Sequence, residues 1–155
     1  MEDKIIKVLQ IGATDNLGGI EIYLKNYYDN IDKNKLHFDF VNMYNEICFQ
    51  KHYENNKSKV FKILSYRKNP IKYIKTLKEI LIKEKYDILH FNMNSAVFLQ
   101  PLIAAKLAKT KVIIAHSHNS YSDKGILKDI LHNFMKMFIP FFANTFFACS
   151  DYAGK

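Results

Sequence analysis

The succession of apolar and polar segments along the chain predicts six β-strands. Residues 4–12 (KIIKVLQIG) form a mainly apolar run, which is typical of a strand buried on both faces of a parallel sheet. Five shorter segments are also predicted as strands, from apolar runs or from residue-by-residue alternation. They are residues 36–43, 60–64, 86–91, 111–116 and 145–149.

Apolar residues spaced three or four apart predict helices between these strands. The first helix carries them at Ile20, Leu24, Tyr27 or Tyr28, and Ile31. A second helix begins at Pro70, a position where proline is tolerated, and its inner face is predicted to comprise Ile71, Ile74, Leu77 and Leu81. Two further helices are predicted over residues 95–109 and 126–139, the latter strongly amphipathic and ended or kinked by Pro140.

Strands that alternate with helices favour a doubly wound, Rossmann-like α/β domain, in which a parallel sheet carries helices on both faces. We expect residues 1–155 to form a single domain, because no linker-like segment or internal repeat interrupts the pattern. Ser150 and Asp151 suit the N-cap and first turn of a helix that has no room before Lys155. The chain is therefore expected to be the first part of a larger protein.

Composition and charge narrow the class of protein. Two distant cysteines, Cys48 and Cys149, argue against a disulfide framework and favour a reducing, cytoplasmic location. The N-terminus lacks a signal-peptide layout, and no uncharged apolar run reaches the roughly 18 residues that span a bilayer. The net charge of +8 and pI near 9.3 favour an anionic partner, whether nucleic acid, acidic lipid or a phosphorylated substrate.

Basic residues are concentrated between residues 57 and 85, where they greatly outnumber acidic ones. The simplest interpretation is a solvated helix face. Tyr66 and Tyr73 lie within this stretch and suggest nucleic-acid stacking, but no RNP, helix-turn-helix or zinc-finger pattern accompanies them. We therefore expect no nucleic-acid partner. Peripheral contact with an anionic membrane is the better alternative, with apolar contact supplied by residues 126–139 and the following IPFF.

The loop after the first strand, GATDNLGG, is the first candidate binding segment because ligands of open α/β sheets bind beyond the carboxyl ends of the strands. It lacks the dinucleotide and P-loop fingerprints. Gly18 and Gly19 nevertheless stand where a helix begins, so its free N–H groups and dipole can bind an anion. Glu21 in the first turn complements the same dipole. The alternative is a simple glycine-assisted turn.

Polar residues after the fourth and fifth strands supply the second candidate group. His116 and His118 lie two residues apart in AHSHN and share one face of an extended chain. His90 could complete a metal site with them, but no carboxylate obviously joins the set, so we expect no metal. Hydrogen bonding to substrate or stabilisation of developing positive charge is favoured over simple strand-end histidines. Further candidate substrate-binding residues at this edge are Asn92, Asn119 and Ser150.

Taken in order, KVLQIG, GGIEIYLKN, DILHFN, VIIAHSHN and FFACSDYAGK resemble the N-terminal half of retaining GT-B glycosyltransferases. The similarity is greatest to family-4-like bacterial enzymes of capsule and exopolysaccharide synthesis. It implies an acceptor-side domain here and a donor-binding C-terminal domain that this chain lacks. It also places Gly18 and Gly19 near the donor diphosphate or acceptor, His116 or His118 beside the reacting sugar, and Ser150 near the inter-domain crossing.

The resemblance implies transfer of a sugar from a nucleotide-sugar to a saccharide or lipid-linked saccharide at the cytoplasmic membrane face. No cofactor is expected, because helix N–H groups can offset the charge of the diphosphate leaving group. With half of the site missing, the isolated chain is expected to be inactive. Two alternatives remain open: a non-catalytic module that binds a sugar or nucleotide, and a metal hydrolase built on His90, His116 and His118.

Overall fold

A computed structural model describes residues 4–118 and 126–150 and confirms the predicted α/β class. Six parallel strands form one sheet in the order β3-β2-β1-β4-β5-β6. Their bounds are β1 Ile6–Ile11, β2 Leu36–Asn42, β3 Val60–Lys62, β4 Ile88–Met93, β5 Val112–Ser117 and β6 Thr145–Ala148. The order reverses between β1 and β4, and in doubly wound sheets a ligand crevice lies beyond the strand ends at this point.

The helices connect successive strands. Their bounds are α1 Gly19–Asn30, α2 Gln50–Asn55, α3 Pro70–Lys83, α4 Gln100–Leu107, α5 Ile126–Lys136 and α6 Ile139–Phe142. Helices α3, α4 and α6 contribute to a core on one face of the sheet, and α1 and α2 to a second core on the other. The sheet is thus covered on both sides, as the alternating pattern predicts.

Helix α3 shows how local signals define an element and where they mislead. Asn69 caps it by accepting a hydrogen bond from the Lys72 backbone N–H at 2.9 Å. Its buried residues are Tyr73, Leu77 and Leu81. The prediction that Ile71 lies on the inner face is wrong, because Ile71 is 80% exposed. Six residues separate it from Leu77, which is about 120° around the helix axis.

Other differences are local. Tyr28, and not Tyr27, is the buried member of the tyrosine pair on α1. Helix α4 begins at Gln100, five residues later than predicted, and α2 is absent from the prediction because its six residues lack an apolar repeat.

Tyr73 is fully buried in the core beneath α3, so it is unavailable for stacking on nucleic-acid bases. None of the helices within the described ranges is long and apolar enough to cross a bilayer.

Candidate functional site

A layer of polar side chains lies on the α1 side of the sheet, where an apolar layer is expected for buried parallel strands. We call this the polar layer: Gln10, His90, Asn92, His116 and His118. Strand register aligns Gln10 with His90 and Asn92 with His116. The first four are almost fully buried, whereas His118, just beyond β5, is half-buried.

Asn92 joins three strands through its amide. Its Nδ2 donates to the backbone carbonyl of Ile11 and to Oε1 of Gln10, each at 3.1 Å. Its Oδ1 lies 3.0 Å from Nε2 of His118. Both polar atoms of the side chain are therefore engaged within the protein, and the residue is only 2% exposed. The structure places this predicted substrate-binding residue beneath the site surface.

The three histidines form a continuous aromatic cluster. Nε2 of His90 lies 3.0 Å from Nδ1 of His116 in a hydrogen bond between two imidazoles. The His116 and His118 ring centroids are 4.2 Å apart, and Tyr23 of α1 contacts both rings edge-on at 5.2 Å. Because His116 is 4% exposed, His118 is the more accessible of the two candidate histidines.

Burial keeps these histidines uncharged near neutral pH. It lowers the pKa of His90 to about 3, with neighbouring His116 and His118 adding to the effect. It lowers the pKa of His116 to about 4, again with His118 contributing. The pKa of His118 is also lowered by burial, although Glu21 opposes that shift. The cluster can therefore donate and accept hydrogen bonds as neutral imidazoles.

The geometry of the histidines does not converge on one metal position. His90 and His116 direct one nitrogen each at the other, and His118 directs Nε2 at Asn92. Within residues 4–118 and 126–150, no group of three or more His, Cys, Asp or Glu side chains is arranged to hold a metal ion. A ligand set of the kind that the hydrolase hypothesis requires is thus not formed by these three residues in this arrangement.

The loop before α1 presents an open helix N-terminus. Gly18 is the N-cap, and no side chain caps the helix by a hydrogen bond. A Cβ added at Gly19 would meet no atom within 4 Å, so a ligand can approach the backbone there. Glu21 is buried and accepts hydrogen bonds from the backbone N–H and hydroxyl of Thr14, at 3.0 and 2.8 Å. Besides facing the helix dipole, Glu21 therefore ties the loop to α1.

Gly12 is the glycine on which the site geometry depends most, and sequence reasoning missed it. Its φ of +127° is a conformation that side-chain-bearing residues rarely adopt. A Cβ there would lie 2.4 Å from the backbone oxygen of Asn92. Its position directly after an apolar strand was the available signal, but it does not distinguish a turn from a close approach between strands.

The remaining predicted site residues lie near or outside this region. Ser150 is exposed and follows β6, whose last residue pairs with Ser117 of β5. Asn119 lies outside the described residues. The backbone N–H of His118 donates to the carbonyl of Met93, which fixes the end of β5 against β4. The structure thus brings together the ends of β1, β4 and β5 with α1, through Tyr23 and the polar layer.

Comparison with known proteins agrees with this architecture. The chain matches the sequence profile described as Glycosyltransferase Family 4 over residues 17–155. It is 28% identical over 155 residues to EpsF of Bacillus subtilis (strain 168), which is named as a glycosyltransferase. That alignment covers 96% of this chain and 40% of EpsF.

Solved structures with low sequence identity share the fold. MurG of Acinetobacter baumannii superposes with a TM-score of 0.60 at 11% identity, covering 96% of this chain and 42% of MurG. The S. aureus MnaA–UDP structure gives 0.62 at 15% identity, covering 96% and 39%. UDP-N-acetylglucosamine 2-epimerase from Rickettsia bellii gives 0.57 at 18% identity, covering 97% and 40%. The chain spans about two fifths of the length of these relatives.

Proposed function

Because the chain belongs to glycosyltransferase family 4 and has the fold of a GT-B N-terminal domain, we propose that it is the acceptor-side domain of a glycosyltransferase. The complete enzyme would move a sugar, with retention at the anomeric carbon, from a nucleotide-sugar to a saccharide or lipid-linked saccharide. The name of EpsF as a glycosyltransferase supports this class of reaction. Synthesis of capsule or exopolysaccharide at the cytoplasmic membrane face is the role we propose.

One observation carries the proposal: an uncapped helix N-terminus and a neutral histidine cluster meet at one sheet edge. Tyr23, one turn after Gly19, contacts His116 and His118. The N–H groups at Gly18 and Gly19 would offset charge developing on the diphosphate leaving group. His118 would hydrogen-bond a hydroxyl of the reacting sugar. The more buried His116 would pack against the His118 ring and hold it in place. This division of roles needs no metal ion.

The proposal is tested by NMR titration of the chain with UDP-sugars, GDP-sugars and a short saccharide. We begin with uridine donors, since the S. aureus relative was solved with UDP. Shifts should cluster at Gly18, Gly19 and His118. Titration of the His118→Ala variant should remove the saccharide response, whereas His52→Ala should retain it, because the His52 ring contacts Asp29 near the C-terminal end of α1. Shifts confined to α2, or none in the folded chain, would contradict the proposal.

We propose that the chain alone lacks turnover, because it spans only about two fifths of the length of the relatives that it matches. Sugar transfer should appear only with the longer protein that contains both domains. Transfer by these 155 residues alone would contradict the two-domain division. Binding without transfer by the two-domain protein would instead favour the non-catalytic module, and metal-dependent hydrolysis would favour the hydrolase.

A separate surface favours contact with an anionic membrane. Phe134, Phe138 and Phe141, which we call the aromatic ridge, are 55%, 38% and 67% exposed. Their successive ring centroids are 5.3 and 6.2 Å apart. Ile130, one helical turn before Phe134, is 60% exposed and extends this apolar surface. An apolar ridge on a chain with net charge +8 suits the interface of an anionic bilayer.

Vesicle co-sedimentation tests this contact. We expect binding to phosphatidylglycerol vesicles, little binding to phosphatidylcholine vesicles, and at least a tenfold loss in a Phe134→Ser/Phe141→Ser double variant. Leu107→Ser is the matched control, since Leu107 is 54% exposed on α4, outside the ridge. Equal binding by both variants would contradict the assignment, as would self-association that buries the ridge in the absence of vesicles.

A further inference from the structure

We propose that Asn92 is a positioning residue for the transfer reaction, because it holds His118 in the tautomer whose Nε2 carries the proton and whose Nδ1 accepts a hydrogen bond. The role of Nδ1 toward the sugar rests on the proposed function. The tautomer is a property of this chain alone. The orientation of the Asn92 amide and the position of the His118 proton are each defined by a group that can only accept a hydrogen bond.

The hydrogen-bond partners of the Asn92 amide define its orientation. Its nitrogen and oxygen can be exchanged by a rotation, so a partner of fixed character is needed to distinguish them. The Ile11 carbonyl is such a partner because it can only accept, and it lies 3.1 Å from one end of the amide. That end must be Nδ2, so Oδ1 faces His118.

The orientation of the Asn92 amide determines which nitrogen of His118 carries the proton. Oδ1 of an amide only accepts, and it lies 3.0 Å from Nε2 of the ring. Nε2 must therefore carry the proton and donate. Burial lowers the pKa of His118, which favours the neutral ring with a single proton. Nδ1 is then the acceptor nitrogen, suited to a hydroxyl group of a sugar.

Close packing and backbone hydrogen bonds hold Asn92 and His118 in place. Gly12 allows β1 to approach the Asn92 backbone more closely than any residue with a Cβ could. The hydrogen bond from His118 N–H to Met93 O holds the ring's own backbone beside the same strand. Tyr23 and His116 contact the ring and restrict its rotation. Ring, amide and strand ends therefore form one connected unit.

Long-range ¹H–¹⁵N NMR of the histidine rings tests the proposal without requiring any activity. In the wild-type chain we expect an unprotonated Nδ1 on His118 and an Nε2–H signal protected from exchange with water. In Asn92→Ala that protected signal should disappear. In Asn92→Asp it should return, because a carboxylate oxygen can accept from Nε2–H.

Asn42→Ala is the matched control for loss of a buried amide. Asn42 is 1% exposed at the end of β2, donates to Gln50 Oε1 at 3.0 Å and accepts from the Tyr44 backbone N–H at 2.7 Å. This variant should lose stability but keep the protected His118 signal. Loss of the signal in Asn42→Ala, or its survival in Asn92→Ala, would overturn the proposal.

The wild-type spectrum is decisive even if no Asn92 variant folds: a proton on Nδ1 of His118 overturns the inference. Failure of the proposed function is observed separately, as an absence of shifts in the sugar titration. The predicted tautomer with no sugar response would show that Asn92 orients the His118 ring and would contradict the proposed transferase role. A sugar response with the opposite tautomer would support the transferase role and overturn the inference about Asn92.

Discussion

The two faces of the same strands differ sharply in chemistry. On β4, Leu89, Phe91 and Met93 belong to the apolar core beneath α3 and α4. The intervening His90 and Asn92 face the α1 side and are equally buried. Strand β5 repeats the contrast, with Ile113 and Ala115 in the apolar core and His116 opposite.

Burying polar groups costs stability unless they are hydrogen-bonded. Hydrogen bonds within the polar layer, between His90 and His116 and between Asn92 and His118, offset much of that cost. Its exception is Nε2 of Gln10, a buried donor that has no partner among the described residues. Along β4 and β5, a face that only stabilised the fold could be apolar, as the side packed against α3 and α4 is. Along these two strands, the comparison therefore indicates that the apolar side supplies stability and the polar side supplies the site.

The largest expected effect is a loss of stability from a substitution on the apolar side of β4. Leu89 is fully buried in the apolar face, so Leu89→Ala should lower the free energy of unfolding by about 2–5 kcal/mol through lost burial and a cavity. Urea denaturation measures the change. Ligand-induced shifts at His118 should persist in the variant wherever it remains folded. A loss below about 1 kcal/mol would contradict the division of roles.

Gly12→Ala should be the most damaging substitution at the edge of the polar layer. The positive φ alone costs about 1–3 kcal/mol, and the contact with the Asn92 backbone adds to it. We expect a total loss of at least about 2 kcal/mol in the free energy of unfolding. The His118 ring resonances should also shift, since Asn92 must move. Unchanged resonances in a folded Gly12→Ala variant would show that the two residues are not coupled.

Lowering the pH should reduce the free energy of unfolding through the buried histidines before it protonates surface carboxylates. The pKa values of His90 and His116 are about 3 and about 4 in the fold, whereas an unfolded histidine titrates near 6.5. Between about pH 6.5 and 5 the unfolded chain therefore binds more protons, and stability falls as pH falls. Each histidine contributes a slope approaching about 1.4 kcal/mol per pH unit.

Urea denaturation at pH 7, 6 and 5 measures this slope. Above pH 7 the contribution of both histidines should be complete and the dependence should level off. A free energy of unfolding that is equal at pH 7 and pH 5 would mean that the histidines are not buried as neutral groups.

The smallest effect on stability is expected at the open helix N-terminus. A Cβ at Gly19 has free space, and alanine favours helix over glycine by up to about 1 kcal/mol. Gly19→Ala should therefore leave stability unchanged or slightly raised, while it weakens nucleotide-sugar binding by obstructing the backbone N–H groups. NMR titration beside urea denaturation separates the two effects. Undiminished affinity would remove this loop from the binding site.

Much of the fold was predictable because its signals are local. Runs such as residues 4–12 indicated strands, and Pro70 marked the start of α3. The errors arose where local pattern and packing diverge. Ile71 continues the apolar repeat of α3 but lies beyond the contact with the sheet, and α2 is too short to show a repeat.

For the candidate site, the sequence predicted which residues take part but not how they are arranged. Strand ends identified His116, His118 and Asn92, since parallel strands bring their carboxyl ends to one edge. Their arrangement was not visible, because it depends on register between strands. The prediction could not tell that Asn92 is engaged below the surface, or that His116 is the more buried histidine of the pair.

By itself the sequence determined the order of strands and helices, the alternation of side chains on each strand and the chemical types gathered at the sheet edge. Those properties follow from periods of two and 3.6 residues and from short-range capping. Only the tertiary structure decided that the Asn92 backbone packs against Gly12, where a Cβ would not fit, and that Asn92 orients His118. The decisive hydrogen bonds join residues 81 and 26 positions apart in the chain, and no local period encodes a contact at such separations.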